Sequence, residues 1–135
     1  MALMNWTDDL SVRVGEIDEQ HRKLIQLINN LHDAMKAGKA KVSLETTLQE
    51  LAAYAVYHFQ TEEKYMQKFK YPGYLAHKMK HDAFVRKVVG FQGDFKAGRL
   101  GLSLDVMNFL KDWVSTHIRE TDKQYSETFI GSGLK

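Results

Sequence analysis

The chain has 135 residues, 44% of them hydrophobic, which suits a globular domain with a hydrophobic core and argues against wholesale disorder. Its 19 basic and 17 acidic residues give a net charge of +2, too even to indicate a nucleic acid or an anionic membrane as partner. Cysteine is absent, which excludes disulfides, thiolate metal sites and cysteine nucleophiles.

Neither a secretory signal nor a membrane span is evident in the sequence. The N-terminal stretch MALMNWTDDL has no basic region followed by a long apolar run. No segment approaches the roughly 20 consecutive apolar residues that cross a bilayer. We therefore expect a soluble, cytoplasmic protein that forms one domain over residues 1–135.

Stripes of apolar residues at helical spacing organise the chain, and the single proline also favours long helices. Asp18, Ser43 and Ser103 are the predicted N-caps, and Gly38 is the predicted stop of the first helix. Short connections favour antiparallel neighbours, so we predict an all-α, up-down-up-down four-helix bundle. In chain order, an irregular N-terminal arm, the four helices and a C-terminal tail are predicted over residues 1–17, about 18–37, 43–70, 73–97, 103–122 and 123–135.

Histidine and glutamate side chains continue the apolar stripes of all four helices. Burying an ionised carboxylate is costly unless it is paired or binds a metal. Side chains four residues apart lie a turn apart on one helix face and can reach one small centre. In an antiparallel bundle the helix ends that carry these residues coincide, so we expect the side chains in one layer of the core. The residues are His21, His58, Glu62, His77, His81 and His117.

Asp122 and His32 relate less simply to this layer. Asp122 is five residues after His117, which an ideal helix would rotate about 140° off the face. It reaches the centre only if the helix loosens or contains a π-bulge. His32 is eleven residues after His21, about 16 Å further along the helix axis, so we expect it near the other end of the bundle.

The donor set narrows the choice of metal. Structural zinc sites usually take four ligands and thiolates, while calcium and magnesium prefer oxygen ligands. Five imidazoles with one or two carboxylates suit iron or manganese, and they are too many for one ion. If Glu62 and Asp122 both bridge two six-coordinate ions together with one oxygen, one position stays open for a small ligand.

The spacing of these residues resembles that of the hemerythrins, specifically the single-domain bacteriohemerythrins. The resemblance covers nearly the whole chain, from Trp6 to about Tyr125. It includes the His-x-x-x-x-Asp step, and so implies that Asp122 is a ligand. The matching motifs are Asp18-x-x-His21, His58-x-x-x-Glu62, His77-x-x-x-His81 and His117-x-x-x-x-Asp122.

The resemblance implies two iron ions, with Glu62 and Asp122 bridging them beside an oxo or hydroxo group. One iron would be bound by the three histidines His77, His81 and His117. The other would be bound by His21 and His58, which leaves its sixth position open for dioxygen. The implied function is reversible binding of dioxygen for storage, transport or delivery, by a protein that is not an enzyme.

Several apolar side chains are candidates to line the oxygen pocket, although ordinary core packing explains each of them equally well. They are Leu24, Ile25, Phe59 and Trp113. Glu63 follows a predicted ligand and lies about 100° around the helix from it, so we expect a solvated charge.

Other functions of the same centre stay open. A diiron enzyme or scavenger would consume dioxygen, peroxide or nitric oxide. We would expect a sensor to act through a separate partner, since residues 1–135 contain no output domain. We expect a monomer, since the first and third stripes lack a second exposed apolar face; any oxygen-consuming partner is unknown.

Overall fold

The computed structural model describes residues 3–39, 41–98 and 104–135, and within them it contains helices and turns but no strand. A 3-10 turn, Asp8–Leu10, precedes the helices, and a π-helical turn, His117–Asp122, joins α4 to α5. Of the helices described, none is both long enough and apolar enough to cross a bilayer. Helices α1 to α5 cover Gly15–Lys36, Lys41–Lys68, Tyr74–Lys96, Leu104–Thr116 and Lys123–Gly131.

These helices form the all-α four-helix bundle that the sequence predicts. Helix α1 packs against α2 and α4, and α2 packs against α3. The fourth helical segment of the bundle consists of α4, the π turn and α5 in succession. The predicted architecture is therefore confirmed.

Two predicted helix starts are wrong. Helix α1 begins at Gly15, and Asp18 accepts a hydrogen bond from the backbone N–H of Val12 at 2.9 Å, so it holds the N-terminal arm instead of capping the helix. Ser43 lies inside α2, which begins at Lys41. Ser103 lies outside the described residues.

The ends of α1 and α2 use the same left-handed turn. Gly38, the predicted stop, has a φ of 68°, and the N–H of the next residue bonds to a carbonyl of the last helical turn. After α2 the equivalent residue is Lys70, with a φ of 56°. A side chain in this region is strained, whereas glycine adopts it freely.

The predicted C-terminal tail, 123–135, is also wrong for most of its length. Helix α5 continues to Gly131, and its Tyr125 and Phe129 are fully buried. The Ser126 hydroxyl donates to the carbonyl of Val12 at 2.7 Å, which ties α5 to the N-terminal arm. Burial of two aromatic rings supplies several kcal/mol, enough to keep this segment helical.

The core consists of two hydrophobic clusters. The larger contains Leu24, Phe59 and Ile118, and the smaller contains Ile17, Met66 and Tyr125 along with residues of the arm. A buried polar residue lies between the two clusters on three of the four helical segments: His21 in α1, Glu62 in α2 and Asp122 in the π turn. A polar layer therefore divides the apolar core.

Candidate metal centre

The polar layer contains all seven side chains that the sequence predicts as ligands. Each is at most 5% exposed, and they come from α1, α2, α3 and the π turn. Helices α1 and α3 contribute residues near their N-termini, and α2 contributes residues near its C-terminus. The residues are His21, His58, Glu62, His77, His81, His117 and Asp122.

The π turn brings Asp122 to the side of the helix on which His117 lies. Their side chains approach with 2.9 Å between His117 Nε2 and Asp122 Oδ1. A π turn closes over five residues, so it accommodates a His-x-x-x-x-Asp step that an α-helix would rotate off the face.

The ligand atoms fall into two overlapping groups in which all atoms lie within 4.8 Å of one another. Glu62 and Asp122 belong to both groups. Asp122 Oδ1 lies 2.9 Å from His77 Nε2, while Asp122 Oδ2 lies 3.0 Å from His21 Nε2. The two carboxylate oxygens of Asp122 therefore face different groups of histidines, which is what a bridging ligand requires. The groups are Glu62, His77, His81, His117 and Asp122, and His21, His58, Glu62 and Asp122.

The three histidines of the first group are spaced like ligands of a single ion. His117 Nε2 lies 3.1 Å from His77 Nε2 and 3.0 Å from His81 Nε2. A neutral nitrogen cannot form good hydrogen bonds to both neighbours at once. Metal–imidazole bonds of about 2.1 Å place adjacent ligand atoms of an octahedron about 3.0 Å apart. The observed spacing fits the second arrangement.

Several buried polar atoms of the layer lack a hydrogen-bond partner among the described residues. They include His21 Nε2, Glu62 Oε1 and both carboxylate oxygens of Asp122. His21 Nε2 and Asp122 Oδ2 are only 3.0 Å apart, yet they are not aligned for a hydrogen bond. Buried unpaired polar groups cost about 1–3 kcal/mol each. Atoms that converge without pairing are those that a metal ion would satisfy, so the donor set fits an ion.

Two of the imidazoles form hydrogen bonds through the ring nitrogen that faces away from the centre. His58 Nδ1 donates to Gln20 Oε1 at 2.8 Å, and His81 Nδ1 donates to Glu63 Oε2 at 2.9 Å. The acceptors assign the proton to Nδ1 in both rings, which leaves each Nε2 lone pair directed at the centre. The expectation that Glu63 is a solvated charge is only partly met: its side chain keeps 16% exposure, but it also accepts a hydrogen bond from His81.

Tyr125 contacts the layer from α5. Its hydroxyl donates to Glu62 Oε2, and its ring stacks on that of His77 with centroids 5.6 Å apart. Burial, and then the charge of Glu62, raise the pKa of the Tyr125 phenol well above its usual range, so the hydroxyl stays a donor. Sequence reasoning missed this contact because it assigned Tyr125 to the tail.

Without an ion the layer balances its own charge. Burial raises the pKa of Glu62 and Asp122, but the surrounding imidazoles outweigh burial and hold both pKa values below their usual range. Burial lowers the pKa of His21 and His81, but the adjacent carboxylates outweigh it and raise both to about 9. Bound cations would take the place of these protons.

A narrow apolar cleft borders His21 and His58 of the second group, and also His117 of the first. Of the four residues predicted to line a pocket, Leu24, Phe59 and Trp113 line it, together with Val114. Ile25 is buried but does not line the cleft, since it lies about 100° around α1 from Leu24. The cleft has no space for a sphere the size of water, so it is closed in this conformation.

The remaining histidine, His32, stays outside the layer. It is buried, at 8% exposure, and it belongs to neither group of ligand atoms. Its position eleven residues after His21 on the same helix puts it about 16 Å away, as the sequence predicts.

Comparisons with known proteins agree with this geometry. The model of the hemerythrin HHE cation binding domain family matches residues 12–128. The chain is 37% identical to the bacteriohemerythrin of Methylococcus capsulatus, over 93% of this chain and 95% of that protein. It is 35% identical to the bacteriohemerythrin of Pseudomonas aeruginosa, over 93% of this chain and 80% of that protein. A crystal structure of wild-type hemerythrin superposes with a TM-score of 0.88 at 36% identity, covering 93% of this chain and 96% of that one.

Proposed function

Because the chain belongs to the hemerythrin family, we propose that it binds dioxygen reversibly at a pair of iron ions bridged by Glu62 and Asp122. An oxo or hydroxo group would complete the bridge. One ion would be bound by His77, His81 and His117, and the other by His21 and His58.

One observation carries this proposal: two groups of ligand atoms share the same two carboxylates. A single-ion site would need no shared ligands, and seven side chains exceed what one ion accepts. The opposite orientation of the Asp122 oxygens, with Oδ1 towards His77 and Oδ2 towards His21, supports a bridging role for that carboxylate.

When bound, the iron pair would supply the electrons and the open coordination position for dioxygen. The side with two histidines has fewer protein ligands, and the apolar cleft borders both of its histidines, together with His117. Leu24, Phe59 and Trp113 exclude water from this side, which favours release of dioxygen unchanged. Phe59 also stacks on His81 with centroids 3.9 Å apart, and Trp113 stacks on His117 at 4.3 Å, so both orient ligands.

Hemerythrins are generally oxygen-binding proteins and not enzymes, and we extend this to the present chain. Storage, transport or delivery of dioxygen in the cytoplasm is the role we propose. The cleft beside His21 and His58 has no room for an organic substrate, which supports binding of a small ligand over the turnover of a larger substrate.

Metal analysis combined with visible spectroscopy tests the proposal. The reduced protein is measured before air is admitted, after, and again after removal of oxygen. Two irons per chain and a visible band that appears with oxygen and disappears without it would support a reversible carrier. Two irons that oxidise once and do not return would instead indicate an enzyme or scavenger. One zinc, or no metal, would contradict the diiron site.

A further inference from the structure

Glu63 binds the outer nitrogen of one of the predicted ligands. Its Oε2 accepts a hydrogen bond from His81 Nδ1 at 2.9 Å. It directly follows the bridging Glu62 in α2, but it lies about 100° around the helix, towards α3. The same two-residue stretch therefore contacts His81 from both sides, since Glu62 Oε1 lies 3.3 Å from His81 Nε2.

The histidine on the other side of the centre has a neutral acceptor. His58 Nδ1 donates to the amide oxygen of Gln20 at 2.8 Å, and Gln20 is oriented by the Thr61 hydroxyl at 3.4 Å. The two hydrogen bonds have similar lengths, but only the one at His81 involves a negative charge. An ionised acceptor draws the N–H proton more strongly and makes the imidazole a stronger electron donor to its ion.

The surroundings of Glu63 preserve its charge. Its side chain is 16% exposed and borders an open cleft, so the carboxylate keeps contact with water. The Lys78 ammonium at this cleft bonds to Asp82, at 2.9 and 3.2 Å. Glu63 also interacts with the Lys78 ammonium through its charge, but its hydrogen bond at 2.9 Å is to His81 Nδ1.

We propose that Glu63 is a positioning residue that fixes the Nδ1–H form of His81 and, through its negative charge, favours the more oxidised state of the ion bound by the three histidines. The matching position behind His58, Gln20, provides orientation without charge. The two ions would thus differ in potential because of their outer acceptors as well as their ligand counts. This inference rests on the proposed iron centre.

Two substitutions separate charge from hydrogen bonding. Glu63→Gln keeps an acceptor of the same length but removes the charge, and Glu63→Leu removes both. Glu50→Gln is the matched control, because Glu50 is an exposed glutamate on the same helix. The measurements are Co(II) affinity, by competition with a chelator, and the midpoint potential of the iron-loaded protein.

We expect Glu63→Gln to weaken Co(II) binding about tenfold and Glu63→Leu to weaken it more, within the range of about 10–100-fold found for outer partners of metal ligands. If Glu63→Gln weakens the binding of Fe(III) ten times more than the binding of Fe(II), the midpoint potential will rise by about 59 mV. Glu50→Gln should leave both quantities unchanged. If Glu63→Gln has the affinity and potential of the wild type, the inference is overturned, even if Glu63→Leu is impaired, because only orientation would then matter.

A reciprocal variant keeps the test decisive if the Glu63 variants do not fold. Gln20→Glu adds a carboxylate behind His58, and it should lower the midpoint potential; an unchanged potential would overturn the inference. Failure of the proposed function looks different. A wild type that binds no iron, but whose Co(II) affinity still falls in Glu63→Gln, would contradict the iron centre and keep the role of Glu63.

Discussion

His21 and His32 offer a matched test of the metal centre. Both are buried histidines on one face of α1, at 0% and 8% exposure, and only His21 belongs to a group of ligand atoms. Binding of Fe(II) at one ion position should stabilise the folded protein against heat, and we expect His21→Gln to remove most of that stabilisation. We expect His32→Gln to leave that stabilisation intact, because His32 is about 16 Å from the layer.

The magnitude follows from linkage between binding and folding. A site filled at about 1,000 times its Kd stabilises the folded state by about 4.1 kcal/mol. For 135 residues the entropy of unfolding is about 0.28 kcal/mol/K, so this corresponds to about 14 °C in Tm. A loss of about 100-fold in affinity would reduce the gain to about 1.4 kcal/mol, or about 5 °C.

The assay is an anaerobic thermal melt of each variant with and without Fe(II). The quantity compared is the metal-induced change in Tm, so any effect of a substitution on the metal-free fold cancels. Equal loss of the increment in both variants, or an undiminished increment in His21→Gln, would refute the placement of His21 in the centre.

Three further predictions concern other parts of the molecule. Asp122→Ala should lower the iron content from two ions to at most one and abolish the oxygen-dependent band; an intact two-iron spectrum would exclude Asp122 from the site. In the metal-free protein, the raised pKa of His21 and His81, about 9 each, means that their protonation stabilises the fold fully below about pH 6.5 and that this contribution is lost as the pH rises to about 9. Fe(II) affinity should increase over the same range, because the ions displace these protons, and melts and metal titrations at several pH values measure the two opposite trends. Lys70→Gly should raise the free energy of unfolding by about 0.5–1 kcal/mol, measured in denaturant. The left-handed conformation costs a side chain about 1–2 kcal/mol, and the greater freedom of glycine in the unfolded state cancels about half of that gain. Gly38→Ala, in the same conformation, is the control and should be destabilising.

The bundle and the polar layer could be predicted because both depend on spacing within single helices. A step of three or four residues fixes the face on which a side chain lies, and short loops fix which ends meet. The contact between Glu63 and His81 could not be predicted in this way. The sequence places Glu63 about 100° from Glu62 around α2, and that direction leads to solvent or to α3 depending on how the two helices pack.

The wrong prediction of a C-terminal tail and the apparent misplacement of Asp122 off the helix face have one physical origin. On an ideal helix at about 100° per residue, Asp122, Tyr125 and Phe129 would lie about 140°, 80° and 120° away from His117, so the stripe would end at His117. The π turn takes up one extra residue, which rotates everything after it back by about 100°. All three side chains then fall within about 40° of the face. The turn that brings a carboxylate beside His117 is thus also the turn that buries Tyr125, whose hydroxyl bonds to the other shared carboxylate, Glu62. The geometry of the centre and the packing of α5 are therefore inseparable.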